Sequence, residues 1–207
     1  MTKKLDIKYS FYAILHPYKG FEDLKREKRG DMRIAIGIIF LTIMSLIFKK
    51  QLTAFTFNPN NTAKLNIWIE FCTVLIPLCL WVVANWCLTT LMDGEGNMRD
   101  IFIASSYALL PIPIIYIPNI ILSYALILEE KGIYTFFEIF PLVWAGILII
   151  IGTMATHQYT LKKTLLTTVC IIVGMALIIF IALLFFSVIQ QVYGFIYVIY
   201  KEMTFRL

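Results

Sequence analysis

Charge and histidine are what this sequence has least of. Only 15% of its 207 residues are Asp, Glu, Lys or Arg, against about 25% in a soluble domain. That supply leaves no room for a separate soluble domain. Its only histidines are His16 and His157, too few for a histidine-based metal centre. The chain also lacks His-Glu-x-x-His, Gly-x-Ser-x-Gly and Gly-x-x-x-x-Gly-Lys-Ser/Thr, the signatures of zinc proteases, serine hydrolases and nucleotide-binding loops. No catalytic residue is assigned, and neither an enzyme nor a cofactor is expected. Cys72, Cys79, Cys87 and Cys170 all fall inside apolar stretches. The first three share one helix face, in no zinc-binding pattern. They read as small hydrophobes, with no metal ligands among them. The N-terminus has no early apolar core and cleavage site, so it is not read as a signal peptide.

What is abundant is apolar: 60% of the residues, with a mean hydropathy of +0.81. The pattern predicts an all-α polytopic membrane bundle of five transmembrane helices with an amphipathic N-terminal segment. The segment covers 1–33, and the spans cover about 34–54, 67–92, 101–128, 133–156 and 164–190; such runs suit the ~20 residues that a crossing helix needs. Residues 191–200, rich in tyrosine, overrun the bilayer and are expected to extend from it or bend along its surface.

The net charge of +5 lies beside apolar spans. That placement argues for a membrane surface and against nucleic acid. Lys25, Arg26, Lys28, Arg29 and Arg33 are the expected membrane-surface residues. Within 1–33, Ile7, Phe11, Ile14 and Leu15 recur at helical spacing beside lysines, the pattern of a helix lying in the interface plane. His16-Pro17 should end it. A second short helix is expected from Phe21 to Gly30, its charges a solvated face. The N-terminal segment and the loops at Asp93 and His157 together carry 12 of the 18 Lys and Arg, nine of them in the N-terminal segment. The positive-inside rule then puts the N-terminus in the cytoplasm and the C-terminus outside.

The stretch 92–128 is the least ordinary. A loop, Asp93-Gly94-Glu95-Gly96-Asn97, precedes a span carrying Pro111, Pro113 and Pro118. Asp93 and Glu95 would repel phosphate, so Gly94 and Gly96 read as a tight turn using glycine's freedom at positive φ. Each proline removes a backbone donor, and the carbonyl it frees must find a partner inside a membrane. The span is therefore either a kinked packing element or a broken helix lining a polar cavity, as in transporters. Ala104/Ala108 and Gly152/Thr156 offer small-residue faces for close packing. Asn85 and Asn119 read as hydrogen-bonding contacts between helices. Glu70 and Glu138 read as headgroup-level residues; buried together, they would make a proton or cation site possible. His157 reads as an interfacial histidine.

Several short patterns occur in a fixed order. They are His16-Pro17-Tyr18-x-Gly20-Phe21-x-Asp23, then Gly94-x-Gly96 followed by Tyr107-x-x-x-Pro111, then Thr156-His157-x-Tyr159-Thr160-x-x-Lys163-Thr164. With five spans, the chain resembles the Yip family (Ypt-interacting proteins) in its bacterial branch. The resemblance implies a five-span helical membrane protein with a cytoplasmic N-terminus. Eukaryotic members are linked to Rab-type GTPases and vesicle traffic, and some bacterial ones are associated with transport systems. This chain lacks the Asp-Leu-Tyr-Gly-Pro motif, and Ala104-Ser105-Ser106 stands where the family has Gly-Tyr-Ser. GTPase binding is therefore not carried over. The expected function is a non-catalytic scaffold or accessory partner in a membrane complex, with a transport-associated complex one form of it. It would lie in a bacterial cytoplasmic membrane, bound to the bilayer and to a membrane-protein partner or a second copy. The alternative is a small transporter or channel subunit using the proline-broken third span.

Overall fold

A computed structural model describes residues 7–27, 29–58 and 65–205; Lys28 lies outside them. Eight α-helices follow in order: α1 Ile7–Leu15, α2 Pro17–Arg26, α3 Met32–Leu52, α4 Ile67–Leu91, α5 Met98–Ala108, α6 Pro111–Leu122, α7 Lys131–His157 and α8 Leu161–Phe205. Five stretches are long and apolar enough to cross a membrane: α3, α4, α5 with α6, α7 and α8. Among the described residues there is no strand.

Helix starts follow local chemistry. The Asp31 side chain accepts from the Arg33 N–H at 2.9 Å, and Asn66 accepts from the Trp68 N–H at 3.0 Å, each satisfying a donor that the first turn leaves open. Pro17 opens α2, where its fixed φ suits a helix and its missing N–H costs nothing.

The third span sits at the centre of the bundle, with α3, α4 and α7 packed around it. It is two helices rather than one kinked helix. Pro111 cannot donate to Tyr107 O, nor Pro113 to Leu109 O, the carbonyls four residues back. Leu110 N–H takes Tyr107 O at 3.2 Å, and Ile112 N–H takes Leu109 O at 3.0 Å. Tighter three-residue bonds thus satisfy the carbonyls within the same segment. Ala108, Leu110, Pro111, Ile112 and Pro113 are all buried, so the break is packed on its sides.

The fifth span differs from expectation in length. α8 continues unbroken for 45 residues, roughly 67 Å at 1.5 Å per residue. Thr164, Thr167 and Ile171 are buried, and from Ile179 to Phe205 every residue is exposed. No proline interrupts it, and no charged residue falls between Thr164 and Tyr200, so nothing local ends the helix near 190. Cys72, Cys79 and Cys87 are exposed on the outer face of α4.

The N-terminal segment packs on the bundle, which its amphipathic pattern did not disclose. Its helices α1 and α2 fold back on each other and dock on α7 and α5. Phe21 is 1% exposed. A Cβ on Gly152 would stand 3.4 Å from its ring and 3.7 Å from Ala104 Cβ, so small residues on α5 and α7 make the seat. Tyr9 Oη donates to Gly20 O at 2.6 Å. Burial first, then the charge of Asp23, raises the Tyr9 phenol above its usual range, which keeps the donor protonated. The charges are not simply a solvated face. Lys25 pairs with Glu95, while Arg26 pairs with Glu22 and Arg29 with Glu27.

Phe21→Ala should release α1 and α2, because removing a buried phenyl ring costs about 3–5 kcal/mol. Trypsin cleavage at Arg29, between α2 and α3, should accelerate in the detergent-solubilised variant. An unchanged cleavage rate would mean that Phe21 does not hold the segment.

Candidate functional site

α4 and α7 end side by side, and they end in the same way. Asp93 has φ 56 and Gln158 has φ 54, the left-handed conformation that closes many helices. Beyond each, an N–H reaches back five residues. Gly94 N–H bonds Thr89 O at 2.7 Å, and Tyr159 N–H bonds Met154 O at 3.1 Å.

His157 stands between these ends. Gly96 N–H donates to its Nδ1 at 3.3 Å, and its Nε2 lies 3.1 Å from Asn85 Oδ1. With Nδ1 accepting, the proton sits on Nε2 and is donated to Asn85. The imidazole is neutral, and both nitrogens are used. It is 2% exposed and stacks on the Tyr159 ring at 5.4 Å.

This contact explains the two glycines and corrects their expected role. Neither has a positive φ; the left-handed residue is Asp93. A Cβ on Gly94 would stand 2.6 Å from His157 Nδ1, and one on Gly96 would stand 2.6 Å from His157 Cε1 and 2.8 Å from Thr156 Cγ2. The glycines are required for the loop's close approach to the imidazole, not for turn geometry.

The Met92 carbonyl at the end of α4 is capped from the turn before α8 and from α8 itself. Tyr159 Oη donates to Met92 O at 2.9 Å, and Lys163 Nζ donates to the same oxygen at 2.8 Å. A lysine at a helix C-terminus also complements its dipole. Lys163 Nζ lies 4.1 Å from the Tyr159 ring centre. Burial first, then the Asp93 charge, pushes the Tyr159 phenol up, so it remains a donor. On the outside, Lys25 Nζ meets Glu95 Oε2 at 3.1 Å and ties the loop to α2.

At the other end of the bundle, adjacent lysines of α3 reach different helices. Lys49 pairs with Glu138 of α7, and Lys50 with Glu70 of α4, each at 2.6 Å. Glu70 and Glu138 therefore do not form a pair with each other. Lys49 Nζ lies 4.4 Å from the Tyr116 ring centre, and Tyr116 Oη donates to Glu138 O at 3.1 Å. Asn119 Nδ2 reaches Tyr134 O at 3.5 Å.

The expected site residues thus fall into three places. Gly94, Gly96, Asn85 and His157 meet at one end. Tyr107, Pro111 and Pro113 form the buried middle. Glu70, Glu138 and Asn119 lie toward the far end, with Pro118 inside α6. Sequence reasoning did not single out Thr89, Tyr159 or Lys163 as contacts, or Lys25, Lys49 and Lys50 as partners of specific carboxylates.

The space enclosed by Asn85, Ile101, Ser105, Thr153 and His157 is too small for a water molecule. Among the described residues no three His, Cys, Asp or Glu side chains come together. This knot holds α4, α7 and the 92–97 loop in register.

Five long apolar helices closed by such a knot define an integral, multi-pass helical membrane protein. Residues 11–184 match the Yip1 domain, and the chain belongs to that family. No curated protein and no solved structure matches it. The patterns around Phe21, Gly94 and His157 are the ones that converge at the knot end.

Gly96→Ala should destabilise the protein, and His157→Ala should relieve much of that loss by removing the atoms a Cβ would strike. A double-mutant cycle by thermal unfolding in detergent should show coupling of about 0.5–3 kcal/mol. Simple additivity would sink the wedge contact.

Proposed function

We propose that the protein is a non-catalytic scaffold or accessory subunit of a membrane complex, with α8 as its association surface. One observation carries this reading: α8 bears no charged residue from Thr164 to Tyr200, yet from Ile179 to Phe205 every residue is exposed. A helix hydrophobic all round is normally buried in protein or lipid. This one is roughly 67 Å long, about twice the ~30 Å hydrocarbon core. Lipid alone therefore does not cover it in an upright, straight form. A partner helix or a second copy would.

The transport alternative rests on the third span. There the break is buried on its sides and its carbonyls are taken by Leu110 and Ile112, which favours a packing element over a cavity wall. The density of Lys and Arg at the knot end supports a cytoplasmic N-terminus in a bacterial inner membrane, with the end of α8 outside.

Photocrosslinkers at Ile189 and Tyr193, 47% and 70% exposed, should trap one stoichiometric protein partner or a second copy in native membranes. Crosslinks to lipid alone would overturn the association role. Ion or solute flux by the purified chain in proteoliposomes would instead favour transport. For orientation, alkaline phosphatase fused after the last residue should be active. An inactive phosphatase beside a fluorescent GFP fusion at the same point would reverse the topology.

A further inference from the structure

A half-open cavity of about 840 Å³ lies between α2, the turn into α3, the 92–97 loop and the start of α5. Small-molecule sites commonly run about 300–1,000 Å³. Phe21, Leu24 and Ile103 give it an apolar side, while its charged side carries both signs.

Some of those charges are already used. Lys25 and Glu95 pair with each other, and the Asp31 carboxylate caps α3. Three are left. Arg33, Arg99 and Asp100 line the cavity, and none has an ion pair among the described residues. Arg33 and Arg99 bring two guanidinium groups to one cavity. Their planar forks match phosphate oxygens in a two-point fashion. Asp100 adds a demand for a cation in the same space.

Position selects the source. Arg33 is the second residue of α3 and Arg99 the second of α5. Both open membrane spans, so the cavity stands at headgroup depth, where basic pockets between helices receive lipid headgroups. We propose that this cavity binds the headgroup of an amine-bearing glycerophospholipid. Arg33 and Arg99 hold its phosphate, Asp100 holds its ammonium, and the apolar side takes the glycerol and first methylenes.

The test is native mass spectrometry of the delipidated full chain in detergent. It is titrated with phosphatidylethanolamine, with phosphatidylglycerol of the same acyl chains, or with soluble glycerophosphoethanolamine. The expected result is one phosphatidylethanolamine per chain, bound about tenfold (about 1.4 kcal/mol) more tightly than phosphatidylglycerol, which offers Asp100 no ammonium. R33Q/R99Q should weaken both lipids by tenfold or more, and D100N should erase only the ethanolamine preference. Equal binding of the two lipids by the unmodified chain overturns the proposal, and this comparison needs no variant to fold. Undiminished phosphatidylethanolamine binding by R33Q/R99Q does the same. Soluble glycerophosphoethanolamine binding as tightly as the lipid would overturn the bilayer as the source.

Discussion

The contact on which most of the molecule depends is the seat of the His157 imidazole. One ring nitrogen accepts from the Gly96 backbone and the other donates toward Asn85, so one side chain fixes α4, α7 and the 92–97 loop together. A buried imidazole needs both nitrogens satisfied, because each unpaired polar group costs about 1–3 kcal/mol. That requirement sets where the loop can run. The loop's position presents Glu95 to Lys25. The salt bridge and the Phe21 seat on Gly152 then hold α2 over the bundle. The polar floor of this end follows from one ring and two missing Cβ atoms.

A second constraint comes from the bilayer itself, where no water is at hand for an idle backbone group. Prolines in the central span make the problem acute, and the chain solves it locally, through the bonds from Leu110 and Ile112. Helix ends are treated the same way. Met92 O receives Tyr159 and Lys163. At the far end of α3, Tyr124 Oη donates to Leu52 O at 2.6 Å and Asn58 to Lys50 O at 2.8 Å. The carboxylates at that end follow the same logic: buried Glu70 and partly exposed Glu138 are each met by a separate lysine, and a lone charge on Glu70 would be costly.

How much of this the sequence discloses depends on whether the signal is local. Five apolar runs are a one-dimensional property, so the spans could be read directly. So could the small faces: Ala104 and Gly152 meet because neither carries bulk. The proline break was visible, but not its repair by three-residue bonds. Glycine's role was misread because Gly-x-Gly spells a turn to a local reader. The reason for Gly96 is a ring 61 residues away. The Lys49–Glu138 contact spans 89 residues, and no spacing rule reaches that far. The docked N-terminal pair was hidden for a related reason. Amphipathicity states that a helix has an apolar face, and says nothing about whether protein or lipid covers it.

The same knot also fixes the start of α8, and this relates the two ends of the molecule. Lys163 and Tyr159 grip the end of α4. Thr164, Thr167 and Ile171 are buried, and a Cβ on Gly174 would stand 3.0 Å from Leu88. Beyond Ile178 that grip ends. The helix is thus anchored through its first turns and exposed along the rest. The charged cavity beside α2 shares the loop 92–97 with that knot. The cavity and the base of α8 are therefore joined through one loop, whose close approach to the imidazole leaves no room for a Cβ at Gly94 or Gly96.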